Sequence, residues 1–352
     1  MRVSKLIELA SGVDALYLSG RASLPSELLE RLETARASAS ESNIGPPFQF
    51  GDFEMTLAPH AWGKYRYCLE HPYGRIGLTP SSRLPSIRIQ PRAEFLHGKG
   101  PQGVVDWYRE LIETTCGFVT FSVTRLDLFA DFQGWDLNGD QRDEFLCRAK
   151  ARHVYEDDGV FNGLVFGTRL SNSVMARIYD KSIESAKTGS GYWKMIWGDA
   201  YDIALSVIRV EFELGRNALR EYGLRTPEET LGAAGALWAS LTGEWLTHRV
   251  KGTDLTKSRW GLSPEWECVQ RALIAEGAEG INRMYLGRRR GSIENLMPGL
   301  VGYLSSFGAY SNSDSLFELL PQLSDFIDQY EMKSGVSFTE RISDKRRRIG
   351  LP

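Results

Sequence analysis

Three short stretches of the chain carry the side chains that could do chemistry. In TRLDLFADF, Arg125, Asp127 and Asp131 stand at odd positions, while Leu126, Leu128, Ala130 and Phe132 fill even ones. In ARIYDK, Arg177, Tyr179 and Lys181 alternate with Ala176, Ile178 and Asp180, and in RVEFEL, Arg209, Glu211 and Glu213 alternate with Val210, Phe212 and Leu214. Successive side chains of a strand point to opposite faces, so each stretch reads as a strand with an apolar back and a polar front. Each front offers an arginine together with either carboxylates or a tyrosine, and Phe129 is the exception on the first. Arg169, in the preceding GTRLS, can add another cation.

A phenol with an ordinary pKa near about 10 is a poor nucleophile at neutral pH, so Tyr179 needs adjacent cations or a metal to favour its phenolate. Arg177 and Lys181 supply positive charge on its own face. At about 3.3 Å per residue, Asp127 and Asp131 lie about 13 Å apart and cannot share one ion, whereas Glu211 and Glu213 are about 7 Å apart. Neighbouring strands are about 4.8 Å apart, so one aspartate of the first strand can meet one or both glutamates of the third. The result is a hard, oxygen-rich site suited to Mg²⁺ or Mn²⁺ rather than zinc, with the arginines free to hold phosphates. Such a set suits attack of a tyrosine on a phosphodiester, leaving a phosphotyrosine ester that keeps the energy of the broken bond. Two plainer arrangements compete with it: cross-strand arginine and carboxylate pairs on a solvated sheet face, and a packed, hydrogen-bonded tyrosine.

These strands must sit in a sheet, and the rest of the first two hundred residues is rich in strand patterns. VDALYLS (Val13–Ser19) reads as a first strand ended by Gly20; short strands follow over 53–57, 65–70, 76–79 and 86–90. Helical spacing is present over 24–35, ahead of a polar loop ASASESN, and over the amphipathic 104–115. A further helix is expected over 139–151, with Asp140 as its cap. Beyond about residue 217 helical patterns prevail, over 227–248, 264–276, 293–307 and 315–333. The expected architecture is α+β: a sheet-rich catalytic domain over 1–217, its sheet antiparallel, followed by a mostly helical C-terminal region over 218–352.

Composition narrows the classes. The 352 residues hold an ordinary apolar content for a core, and no run approaches the length of a membrane span. The opening MRVSKLIELASG has too short an apolar segment for a signal peptide, so the expected compartment is the cytoplasm, with no membrane partner. The four cysteines, Cys68, Cys116, Cys147 and Cys268, form no metal or disulfide pattern, which leaves free thiols. A net charge of −3 argues against indiscriminate polyanion binding but permits a local basic groove. The arginine runs at 288–290 and within KRRR at 345–348 read as solvated surface.

The order TRLDLFAD, then GTRLS, then RIYDKxxE, then RVEFE, resembles the replication initiation factor family over roughly residues 10 to 250. That family includes rolling-circle initiators of small plasmids, replication proteins of some filamentous phages and relaxases of some conjugative elements. The resemblance covers Gly167, Arg169, Ser171, Arg177, Ile178, Tyr179, Asp180, Lys181 and Glu184. It implies strand- and site-specific nicking and rejoining of DNA through a tyrosine nucleophile and a divalent metal. On this chain Tyr179 would attack, assisted by Arg177 and Lys181; Asp127 and Glu211, with Glu213, would hold Mg²⁺ or Mn²⁺; and Arg125, Arg169 and Arg209 would engage DNA phosphates. Some relatives carry a second tyrosine where this chain has Ile183, so a DNA-binding protein of the same family without chemistry stays open, as does a metal nuclease that uses water. The five histidines contain no His-hydrophobic-His pair, the metal motif of another rolling-circle group. A helicase partner and homodimerisation are left open by the sequence.

Overall fold

The computed structural model describes residues 6–169, 174–274 and 293–349, the side chains at 293–296, 298–299 and 347–349 excepted. Ser171 and the arginines at 288–290 lie outside the described residues, as do the side chains at 347–348. The chain forms two compact units, Met1–Asn282 and Arg283–Pro352.

The first unit is built on an eleven-stranded sheet in which all pairings are antiparallel. Its strands are β1 (Ile7–Arg21), β2 (Pro47–Phe50), β3 (Phe53–Leu57), β4 (Tyr67–His71), β5 (Gly74–Leu78), β6 (Ile87–Pro91), β7 (Thr120–Gln133), β9 (Arg152–Asp157), β10 (Val160–Phe166), β11 (Val174–Asp180) and β12 (Val207–Gly215). A separate two-stranded pair joins β8 (Phe145–Cys147) to β13 (Leu246–His248). The order β2-β3-β4-β5-β6-β1-β7-β12-β11-β10-β9 shows two halves of one plan. Each half opens with a long strand, β1 or β7, and continues into a meander whose last strand returns to pair with that long strand. The long strands lie side by side at the centre.

Period-two alternation decides which side of the sheet is the core. Leu126, Leu128, Ala130 and Phe132 of β7, Ala176 and Ile178 of β11, and Val210, Phe212 and Leu214 of β12 are all buried in the main apolar core. Helices α1 (Ser26–Ser42), α2 (Ala93–Lys99) and α3 (Pro101–Cys116) follow within the first half. The loop expected after residue 35 is instead part of α1, which buries Ala39 and ends where Asn43 turns left-handed. The helix expected over 139–151 is a short 3-10 helix, Gly139–Glu144, capped by Asn138 rather than Asp140 and followed at once by β8.

In the second half, α4 (Lys181–Thr188) and α5 (Trp193–Trp197) link β11 to β12. After β12 come α6 (Arg216–Glu221), α7 (Pro227–Gly232), α8 (Ala234–Ser240) and α9 (Pro264–Gln270). Leu219, Leu237, Trp238 and Trp266 are buried in the same core as the strands, so the division of the chain falls after this helical stretch and does not coincide with the boundary expected near 217. The second unit holds α10 (Ile293–Ser311), α11 (Leu316–Ser334) and α12 (Phe338–Ile349), with Phe307 and Phe326 meeting edge to face at 5.3 Å. Among the described residues no helix is long and apolar enough to cross a membrane. All four cysteines are free; Cys68 and Cys116 are buried and Cys147 and Cys268 half-buried.

Candidate active site

The polar fronts of β7, β12 and β11 come together because these strands are neighbours. Register sets Asp131 opposite Arg209 and Asp127 opposite Glu213 across β7 and β12, and Glu211 opposite Arg177 across β12 and β11. The two aspartates therefore enter different networks.

The first network is sealed. Arg209 is fully buried; its Nε lies 2.7 Å from Asp131 Oδ1 and its Nη2 2.8 Å from Asp131 Oδ2, a two-pronged fork. Its Nη1 donates to Asp14 Oδ1 at 3.0 Å, and Trp197 Nε1 donates to Asp131 Oδ2 at 2.8 Å. The guanidinium carbon stands 4.1 Å from the Phe129 ring centroid and 4.0 Å from that of Trp193. Phe129, which broke the polar alternation of β7, thus forms with Trp193, Trp197 and Val207 a small apolar cluster over this arginine. Arg209 has no donor open to a DNA phosphate, which corrects the phosphate role expected for it: it organises the site from below.

Asp14 was not picked out in the sequence. It sits in β1 at a register shift between Val13 and Ala15, so its side chain escapes the simple alternation. His97 Nε2 of α2 lies 3.3 Å from its Oδ1. Burial by itself pushes the Asp14 carboxyl up, but Arg209, the His97 hydrogen bond and Lys181 outweigh it and hold the acid below its usual range. A lone aspartate in the otherwise apolar VDALYL was the signal available.

The second network is open and contains the tyrosine. Tyr179, half-buried, donates its hydroxyl to Glu211 Oε2 at 2.9 Å. Burial raises its pKa well above the ordinary phenol value, and the neighbouring Glu211 charge adds to the rise. The other oxygen of Glu211, Oε1, accepts from Arg177 Nη2, which also lies 3.7 Å from Asp127 Oδ2. Arg125 forks onto both oxygens of Asp127, with Nε to Oδ1 at 2.7 Å, and reaches Glu213 Oε2 at 2.9 Å. Arg169 Nε is 3.3 Å from the same glutamate oxygen. Burial, with Glu211 and Glu213 adding, pushes Asp127 up to about 8, against the pull of Arg125.

Lys181 does not continue the strand as expected. β11 ends at Asp180, whose side chain accepts from the backbone N–H groups of Ser182 and Ile183 and so starts α4. As the first residue of that helix, Lys181 is buried, pairs with Glu184 and stands 5.9 Å from the Tyr179 ring centroid and 5.0 Å from that of Trp193. It still faces the tyrosine. Gly163 of β10 lies directly opposite Tyr179, and a Cβ there would stand 2.7 Å from both Ile178 O and the tyrosine Cβ, so only glycine lets β10 and β11 approach this closely beside the tyrosine.

Among the described residues no group of three or more His, Cys, Asp or Glu side chains is gathered as a metal cage. Asp127 and Glu211 nevertheless both reach one cationic nitrogen, Arg177 Nη2. Two hard carboxylates meeting at one positive point fit Mg²⁺ or Mn²⁺ in kind, since Mg²⁺ is commonly held by one or two carboxylates with waters and substrate phosphate completing its shell. Glu213 is turned towards Arg125 and Arg169.

No protein-family model matches the chain, and no curated protein does. Among solved structures, a rolling circle replication initiator protein from Geobacillus stearothermophilus aligns over 77% of this chain and 99% of its own, with 18% identity and a TM-score of 0.42. A likeness of that size carries no function across.

Proposed function

We propose that this chain nicks and rejoins one strand of DNA through Tyr179, as a rolling-circle replication initiator or relaxase does. The observation that carries the reading is the 2.9 Å hydrogen bond from the Tyr179 hydroxyl to a buried carboxylate, within a cluster of guanidinium groups. A phenol held protonated by burial is reactive only when a base takes its proton as it attacks, and Glu211 Oε2 is placed to do so.

In the proposed step a bond forms between the tyrosine oxygen and the scissile phosphorus. The phosphorus–oxygen bond to the departing sugar breaks with its electron pair kept by the sugar oxygen, which takes a proton from water and leaves as a hydroxyl, while the phenol proton passes to Glu211. One ester is exchanged for another, so the reverse attack by a sugar hydroxyl reseals the strand. Arg177 and Lys181 neutralise the developing charge on the phosphate, and Arg125 and Arg169 hold flanking phosphates. Asp127 and Glu211 would hold a Mg²⁺ or Mn²⁺ ion in exchange for Arg177, which releases that arginine to the phosphate; the ion, when bound, supplies Lewis acidity. A helicase or a second copy of the chain as partner belongs to the same reading of a replication initiator.

The test is incubation with single-stranded oligonucleotides tiled across the DNA element that encodes the protein, with Mn²⁺, followed by denaturing electrophoresis. Wild type is expected to carry covalently attached DNA, and Tyr179→Phe none. Glu211→Gln is expected to slow adduct formation by about 10²–10⁴-fold, the usual worth of a general base. Cleavage without an adduct would replace the tyrosine by water, and binding without either product would leave a recognition protein.

A further inference from the structure

The half of the sheet without the tyrosine also presents a charged front on the same side. Tyr17 of β1 pairs with Arg125 of β7, so it shares their face; Ser19, Arg88 and Gln90 of β1 and β6 and Arg75 and Gly77 of β5 follow in register. The polar contacts run on without a break. Arg75 donates to Gln90 Oε1 at 2.7 Å, Gln90 Nε2 donates to the Tyr17 hydroxyl at 2.8 Å, and the Arg125 guanidinium lies 5.1 Å from the Tyr17 ring centroid.

Arg75 and Arg88 converge on one ring. Their guanidinium carbons stand 4.0 and 3.9 Å from the Trp62 centroid, and Trp62 and Tyr65 lie over Gly77, where any Cβ would meet the tyrosine at 2.9 Å. A groove beside them is lined by Tyr17, Ser19, Arg88, Arg125, Arg216 and Glu213, the glutamate being paired with Arg125. Tyr17 and Arg125 also line the cavity that holds Tyr179, whose wall includes Arg75, so the two depressions adjoin. Arg216 Nη2 donates to Ser19 Oγ at 3.0 Å. Among the described residues neither Arg75 and Arg88 of the first half nor Arg216, which follows β12 at the start of α6, forms an ion pair; Glu70 faces Arg75 across β4 and β5 without one. Burial lowers the pKa of both Arg88 and Arg216, and further arginines nearby lower them more: Arg75 beside Arg88, Arg220 and Arg21 beside Arg216. On the tyrosine half every arginine named is matched by a carboxylate. Here positive charge is left over, half-buried and arranged in a groove, which is what a polyanion would neutralise.

We propose that this groove seats the single-stranded DNA flanking the reacting phosphate, with Arg75, Arg88 and Arg216 taking its phosphodiester groups and Trp62 holding two of those arginines in place. The proposal rests on the nicking reading above. From β11 to β6 is four strand spacings, about 19 Å, a span of several nucleotides.

The experiment measures binding of fluorescein-labelled dT20 by anisotropy over a salt series. Arg88→Ala/Arg216→Ala is expected to bind at least tenfold more weakly than wild type at 100 mM salt. Its slope of log K against log salt should be shallower by about 1.4, the value for two lost phosphate contacts on a single strand. Arg88→Lys/Arg216→Lys, which keeps the charges, should retain most of the slope, and this pair decides the matter if the alanine protein does not fold. Unchanged affinity and slope in the alanine protein, or tighter binding of the dT20·dA20 duplex than of dT20, would overturn the inference. An adduct formed normally by the alanine protein with unaltered binding would sink the groove and leave the nicking; loss of binding in a protein that never forms an adduct would keep the groove and remove the tyrosine chemistry.

Discussion

Replacement of Asp131 by alanine tests the claim that Arg209 is the internal support of the site. The change removes both prongs of a fork at 2.7 and 2.8 Å from a guanidinium with no exposure to solvent. Breaking a buried ion pair from one side costs about 3–5 kcal/mol, because the remaining charge stays buried. Trp197 Nε1 loses its acceptor as well, worth about 1–3 kcal/mol, while Asp14 at 3.0 Å still compensates part of the arginine charge. These opposed corrections leave an expected loss of about 4 kcal/mol, a large share of the roughly 5–15 kcal/mol of an ordinary fold. Guanidinium chloride denaturation followed by circular dichroism should show a midpoint lowered by roughly 1 M. Asp131→Leu combined with Arg209→Met, which removes both charges, should regain most of the loss. A single variant within about 1 kcal/mol of wild type, or a double variant weaker than the single one, would refute the reasoning.

Gly163→Ala should abolish the proposed adduct, because the new methyl would stand 2.7 Å from both Ile178 O and Tyr179 Cβ and must push β11, and Tyr179 with it, away from β10; normal adduct formation would show that the tyrosine need not lie against β10. A second expectation concerns pH. Asp127 has a folded pKa raised to about 8 against an ordinary value of 3.8, so its neutral form stabilises the fold below pH 4 and that contribution is lost as pH rises through about 8. Metal binding needs the ionised form, so Mn²⁺ affinity measured by calorimetry should climb as pH rises towards and through 8, and Asp127→Asn should flatten the profile; a profile flat in the wild type would refute it.

The alternation in RLDLFAD, RIYD and RVEFE was legible because a strand has a fixed two-residue period, and the faces it assigned are those observed. The meeting of Asp127 with a glutamate of the third strand followed from strand spacing alone and is realised with Glu213 opposite Asp127. Pairing partners beyond that were not legible. Nothing local tells that Asp131 will find Arg209, or that Trp193 and Trp197 will close over it, since these contacts depend on where the α4–α5 connection folds back. Asp14 was hidden by a bulge, which breaks the period from which faces are read. Lys181 was misplaced by one element because the capping by Asp180, visible as an Asp-Lys-Ser turn, turns the chain into a helix one residue earlier.

The two-half sheet has a consequence for how the molecule assembles. Each meander is made of strands adjacent along the chain, which meet at small entropic cost, whereas β1 and β7 join segments 99 to 126 positions apart. Asp14 and Arg209, which bridge that central junction, are separated by 195 positions. Tyr179 and Glu211 belong to one half and can come together before the halves dock; the support that fixes Arg209 beneath them arrives only with the other half. A chain caught midway through folding would therefore display its tyrosine on a formed hairpin with the floor of the site missing, and acquisition of the proposed nicking activity would mark the closing of the central junction.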